Sequence, residues 1–307
     1  MRRRVLEEVE RASGDLDAAT AALIKAAIPD VMNLVKASRV GARYEHTEFV
    51  KGIEPLSRQS QKTSDAIWEG RPKWQNPEVR TRVKSGQPYH VSALDMNAAY
   101  LSALKCWLPI GKLVEVDTDR HDPKQSGIYR ITPPTWTHPA LPNPIGDRKE
   151  PGEIWVPDSL VRQLVENHRH GLADLPTIHG AMLSGASEAM LEKLRRALAE
   201  VRKEAIATGD QVTVDYVKAM YAKLVSTVGE SNANFEIRRP DWMHIIRSKA
   251  FTNLWRKALR AHHAGLTVVR VSGTDELHVS GDWRAVFSEG RNLNQVKEKE
   301  TYTLGGE

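Results

Sequence analysis

Val271-Ser-Gly-Thr-Asp-Glu-Leu-His-Val279 reads as two short apolar strands folded back on a Gly273–Glu276 tip, which holds Asp275 at the turn. Upstream, the alternation from Tyr89 to Leu94 predicts a strand that runs into Asp95-Met-Asn-Ala-Ala-Tyr100. The run from Asn97 to Trp107 then predicts a helix stopped before Pro109. Between these two segments, Lys218-Ala-Met-Tyr-Ala-Lys-Leu224 falls inside a predicted helix from Val212 to Val228. Val217, Tyr221, Leu224 and Val228 form its apolar stripe, and Lys218 is turned about 100° away from it. Two carboxylates at strand ends can share divalent cations with a triphosphate, and a helical lysine can neutralise departing phosphates. Each segment alone fits ordinary turns, solvated lysines or core tyrosines better; order and context together favour the catalytic reading.

The rest of the chain sets bounds. Its 307 residues allow one or two domains with a sizeable core. A formal charge of +5 favours an anionic partner without demanding one. The single cysteine, Cys106, excludes an internal disulfide and any cysteine-cluster metal site. The Met1-Arg-Arg-Arg start is followed by Leu-Glu-Glu-Val-Glu, unlike a secretory leader, and no apolar run is read as a membrane span. A soluble, cytoplasmic protein with no membrane partner is expected. The histidines, His168, His170, His262 and His263 among them, lack zinc spacing and read as surface or core residues.

Helices are expected at Leu6 to Ala12 and Leu16 to Lys36, with Gly14-Asp15 as breaker and cap and a kink or break at Pro29. Glu54 to Gln87 reads as an exposed linker or a DNA-facing loop, the plain surface reading being preferred, in which Trp68 and Trp74 pack conventionally or stack single-stranded bases. Lys112 to Val116 and Gly127 to Ile131 read as a strand pair, followed by a proline-rich crossing from Pro133 to Pro157. Helices follow at Ser159 to His168, capped by Asp158 or Ser159, and at Ser187 to Thr208, capped by Ser187 and ended by Gly209. A basic helix from Asp241 to Ala264 has Trp242, Ile246, Ala250, Leu254 and Ala258 as its buried side.

The three segments resemble motifs of family B DNA polymerases, especially the protein-primed branch. Asp95-Met-Asn-Ala-Ala-Tyr100 is similar to motif A, Lys218 onward to the start of motif B, and Gly273-Thr274-Asp275 to the Asp-Thr-Asp of motif C. The resemblance covers roughly residues 88 to 303. It implies an α+β fold: a polymerase palm sheet with helical fingers and a helical N-terminal extension. The implied division is 1–60 extension, 61–186 linker and first part of the palm, 187–229 fingers, and 230–307 second part of the palm. No exonuclease element and no evident thumb are read.

By this resemblance Asp95 and Asp275 are the catalytic carboxylates and ligands of Mg²⁺ or Mn²⁺, with Glu276 a candidate extra ligand. Tyr100, Lys218, Arg202 and the Met96 carbonyl would bind the nucleotide. Tyr100 would lie under the sugar and exclude a 2′-hydroxyl. Thr301-Tyr302 resembles the end of the Lys-x-Tyr element that holds the primer terminus, with Glu300 in place of its lysine and Lys299 adjacent. Two departures stand out. Gly273 occupies the first Asp position of motif C, and Ala222, Lys223, Val225 and Ser226 replace the Asn-Ser-x-Tyr-Gly of motif B. The implied function is DNA polymerase-like nucleotidyl transfer without proofreading, in phage or mobile-element replication. Its partners would be DNA template and primer, dNTPs, and a protein primer or a protein supplying a thumb. The alternatives are a weakly active or inactive replication-accessory binding module and a priming or tailing nucleotidyltransferase.

Overall fold

The structure, a computed structural model, describes residues 1–41, 54–56, 67–146, 148, 152–231 and 238–305. Strands and helices alternate without a repeating unit, and every ladder in the three sheets is antiparallel, an α+β arrangement. The five-stranded sheet is built from β1 (Lys73–Gln75), β2 (Tyr89–Met96), β9 (Thr267–Ser272), β10 (Glu276–Ser280) and β11 (Val296–Leu304), in the order β1-β9-β10-β2-β11. Its alternation sends Leu94, Met96, Val271, Leu277, Val279 and Val296 into one core. That core is closed by Leu254, Trp255, Ala258 and Ala261 of α8 (Pro240–His263). Asp95, one residue off this register, therefore faces away from α8.

A second sheet combines β4 (Val114–Val116), β5 (Gly127–Thr132), β6 (Ile154–Pro157) and β7 (Thr177–Leu183) in the order β4-β7-β5-β6. The expected strand pair is thus corrected. β4 and β5 belong to one sheet, but β7 lies between them and pairs with both. The proline-rich crossing ends in a true strand, β6, which pairs with β5. A two-stranded sheet joins β3 (Leu108–Pro109) to β8 (Ser187–Glu188). Ser187 is consequently no helix cap; its hydroxyl accepts the Ser126 amide, and α6 begins later, at Glu192, and runs to Thr208. Gly209 ends α6 at φ 71, as expected of a left-handed C-terminal residue.

α5 (Asp158–Arg169) has Pro157 at its N-cap and no capping side chain; Asp158 is used instead by His121 and Arg162 at 2.7 and 2.6 Å. α4 is only Ala99–Ala103. The linker expected from Glu54 to Gln87 contains β1 and a helix, α3 (Pro77–Lys84), where it is described; residues 57–66 lie outside the described residues. Asn76 caps α3 by accepting the Glu78 and Val79 amides, with Pro77 at its first position. Trp74 packs against the main core and Trp68 donates to the Ile145 carbonyl, so both are packing residues here.

At the N-terminus, α1 (Arg2–Arg11) precedes α2 (Leu16–Arg39), whose Asp15 cap accepts the Asp17 and Ala18 amides. Pro29 does not break α2. Contrary to the sequence reading, α2 is by length and composition apolar enough to cross a membrane, alone among the described residues. In this fold its stripe of Ala19, Leu23, Ala27, Val31 and Val35 packs on α7 (Gln211–Glu230). Tyr216 donates to Asp30 at 2.5 Å and Lys223 to the Ile24 carbonyl at 2.6 Å, adding polar ties to that contact.

Candidate active site

Two backbone features bring Asp95 and Asp275 together. Asp95 stands opposite Glu276 in the β2–β10 ladder, and the Met96 amide donates to the Asp275 carbonyl at 2.7 Å. The tip between β9 and β10 turns through Gly273 at φ 63, a conformation that favours glycine. After Asp95 the chain bends sharply, with Ala98 at φ 48, and enters α4 carrying Tyr100. Neither Asp95 nor Asp275 has a hydrogen-bonding or ion-pairing side-chain partner among the described residues.

Their electrostatics follow from that isolation. Burial raises the Asp95 pKa, the Asp275 charge raises it further, and Lys299, Lys297 and Lys218 only partly oppose this. Asp275 is raised by loss of solvent and then by Glu276, with Lys299 and Lys218 opposing. Lys218, exposed on α7, lies near enough for its charge to lower the pKa of both carboxylates slightly. Lys297 is the basic neighbour that sequence reading missed: it stands directly opposite Asp95 on β11. The alternation Lys297-Glu298-Lys299 was its available signal.

The other expected residues are placed differently. Glu276 is held by His278 at 2.9 Å, with Arg270 at 3.4 Å and Lys299 at 3.9 Å. Burial works to raise its pKa, but the His278 hydrogen bond and these cations pull it below the ordinary value. Tyr302 joins the same chain, its hydroxyl 2.7 Å from His278 Nδ1. Arg202 is buried and donates to the Arg291 carbonyl at 2.7 Å, with Tyr221 beside it, which leaves Arg291 as the exposed guanidinium. Met96 has its side chain in the core. Tyr100 is half-buried, its pKa raised by burial, with Arg247, Glu69, Arg71 and Asp275 around it.

Asn97, a matching position of the motif A resemblance to which sequence reading gave no role, is a second feature. Its amide nitrogen donates to the carbonyls of Gly290, Asn292 and Gln295 at 2.7, 3.1 and 3.1 Å. Asn97 thus pins the loop before β11 to the turn that carries Asp95, and Arg202 ties the same loop to α6.

Asp95, partly buried, and Asp275, exposed at the tip, lack side-chain partners among the described residues and form a hard-oxygen pair suited to Mg²⁺ or Mn²⁺. Among the described residues no group of three or more His, Cys, Asp or Glu side chains is gathered as ligands. Asp95 and Asp275 would therefore share any metal with substrate oxygens and water.

No protein-family model and no curated protein matches the chain. Among solved structures, its fold is similar to that of phi29 DNA polymerase, a protein-primed family B enzyme. Against the orthorhombic crystal form the TM-score is 0.60 at 12% identity, over 90% of this chain and 52% of that one. Against the binary complex with primer-template DNA it is 0.61 at 11% identity, over 97% and 54%. Against the ternary complex with incoming nucleotide it is 0.58 at 11% identity, over 91% and 53%. The chain thus spans just over half the length of these polymerases, and the expected resemblance to protein-primed family B polymerases holds at the level of the fold.

Proposed function

We propose that this protein is a DNA polymerase-like nucleotidyltransferase in which Asp95 and Asp275 are the catalytic carboxylates. The observation that carries the reading is the meeting of two unpaired carboxylates at the β2 end and the β9–β10 tip, with Lys218 near both, within this fold. Asp95 and Asp275 would hold Mg²⁺ or Mn²⁺, which when bound stabilises charge on the attacking and leaving oxygens. Lys218 neutralises the triphosphate, and Lys297 and Lys299 moderate the carboxylates until it arrives. Tyr100 supports the sugar and disfavours a 2′-hydroxyl, while Tyr302, oriented by His278, contacts the primer end. Residues 88–303 act as palm and fingers, with 187–229 as the fingers, and the N-terminal helices brace α7. DNA and dNTPs are the partners, with a protein primer or a thumb-supplying protein completing the assembly in phage or mobile-element replication without proofreading.

A second reading, a weakly active accessory module, draws on the engagement of Arg202 with Arg291 and of Lys223 with α2. An incorporation assay in Mg²⁺ or Mn²⁺ separates the readings, using primed template, unprimed template and primer alone. Incorporation by the wild type that Asp275→Ala abolishes supports the polymerase. DNA binding with no incorporation in any lane rejects the stand-alone enzyme in favour of the module. Incorporation on primer alone identifies tailing instead.

A further inference from the structure

Behind the turn that carries Asp95, on the α8 side of the sheet, lies a pocket of about 390 Å³. Met96 and Thr274, each next in sequence to one of the two carboxylates, line it. Its basic lining is Lys105, Arg195, Arg256, Lys257 and Arg260, and among the described residues no acidic or aromatic side chain lines it. Two of these charges are answered from outside the lining. Glu192 pairs with Arg195 at 2.5 Å, and Glu166 with Arg256 at 2.6 Å. Lys105 and Lys257 have no hydrogen-bond or ion-pair partner among the described residues. Arg260 donates only to the Val286 carbonyl and, like Lys257, lies about 5.3 Å from the Phe287 ring. Burial, and then Arg260, lower the Lys257 pKa, so this ammonium is held where an anion would relieve it.

We infer that this pocket is a binding site for a compact polyphosphate anion, inorganic pyrophosphate in particular, held chiefly by Lys105, Lys257 and Arg260. The chemistry of the lining decides the class. Clustered ammonium and guanidinium groups suit phosphate oxygens, and Asn253, Asn294 and Ser102 add neutral donors. Without an aromatic platform, bases have nothing to stack on, which argues against a strand of nucleic acid as the occupant. Pyrophosphate as the physiological occupant rests on the proposed nucleotidyl transfer, whose leaving group it is; the site itself rests on its lining.

The test is calorimetric titration of the full chain with inorganic pyrophosphate in EDTA, where the carboxylates hold no metal and repel the ligand. Wild type, Lys105→Gln and Lys105→Gln/Lys257→Gln are compared, with circular dichroism confirming that each is folded. The expected result is binding that weakens about a hundredfold in the double variant, since it removes two charge-assisted contacts worth roughly a decade in affinity each. Lys105→Gln, an exposed change, falls between. Absence of pyrophosphate binding by folded wild type overturns the inference, as does binding equal in wild type and the double variant. In a parallel titration with a single-stranded oligonucleotide, loss in the double variant confined to the oligonucleotide, with pyrophosphate binding unchanged, also overturns it. Because no turnover is read, an inactive protein still answers the question, so failure of the proposed function and failure of this site are distinguishable.

Discussion

Replacing Asn97 by alanine should loosen the turn that aims Asp95. Asn97 is buried, and its amide nitrogen serves three carbonyls of the 290–295 loop with two hydrogens. Counting two full hydrogen bonds at about 1 kcal/mol each, and allowing water to reach the freed carbonyls, the loss is about 2 kcal/mol. For a domain of this size that lowers the melting midpoint by about 4 °C. Asn97→Asp sharpens the test: it keeps the shape but sets carboxylate oxygens against three carbonyl oxygens. It should cost at least as much as alanine at neutral pH and less as the acid is protonated. Urea unfolding gives the free energies, and amide hydrogen exchange of residues 288–296 reports the loop. If Asn97→Ala falls within 0.5 kcal/mol of wild type (roughly the scatter of inert surface changes) and the loop stays protected, the pinning argument is wrong.

Other outcomes follow from the same structure. Arg239 and Asp241, both fully buried, pair at 2.7 Å while Arg239 also donates to the Pro109 and Ile110 carbonyls; Arg239→Met should cost about 3–5 kcal/mol in denaturant unfolding, and adding Asp241→Leu should recover part of it. The Arg195 hydrogen bond, opposed by burial and helped by Arg196, lowers the Glu192 pKa to about 2, so its contribution is present above the ordinary glutamate pKa and lost as pH falls through about 2. Glu192→Gln should therefore destabilise by about 1 kcal/mol at pH 7 and by nothing near pH 2 in thermal scans. Asp95 and Asp275 have the opposite sign. Their raised pKa values give a stability that is present below the unfolded aspartate pKa and lost as pH rises through the folded ones. Asp95→Asn should thus raise the melting temperature of metal-free protein at pH 7 and leave it unchanged near pH 3. Divalent metal should stabilise wild type more than the variant.

What was legible in the sequence was local. The β9–β10 tip, the strand into Asp95, and the Lys218 helix with its buried stripe all follow from alternation, period and turn chemistry. α3 was also signalled, by Asn76-Pro77 as cap and first residue, but its polar composition obscured a helix buried only at Val79. The insertion of β7 between β4 and β5 is a matter of long-range pairing that no local pattern encodes. The same limit explains the site. That Arg202 reaches the Arg291 carbonyl, or that Glu276 is held by a His278–Tyr302 chain, depends on residues brought together from distant segments. Pro29 shows the converse: local chemistry argued for a kink or a break, and α2, packed on α7, runs through it without breaking.

The central claim is that Asp95 and Asp275 jointly hold metal beside a nucleotide. Its most direct test is anomalous diffraction from crystals grown with Mn²⁺ and a non-hydrolysable deoxynucleoside triphosphate. The account expects manganese in contact with both carboxylates and with triphosphate oxygens, and no such peak in Asp275→Ala crystals. A nucleotide bound without manganese at this pair, or manganese held by other residues, would contradict it.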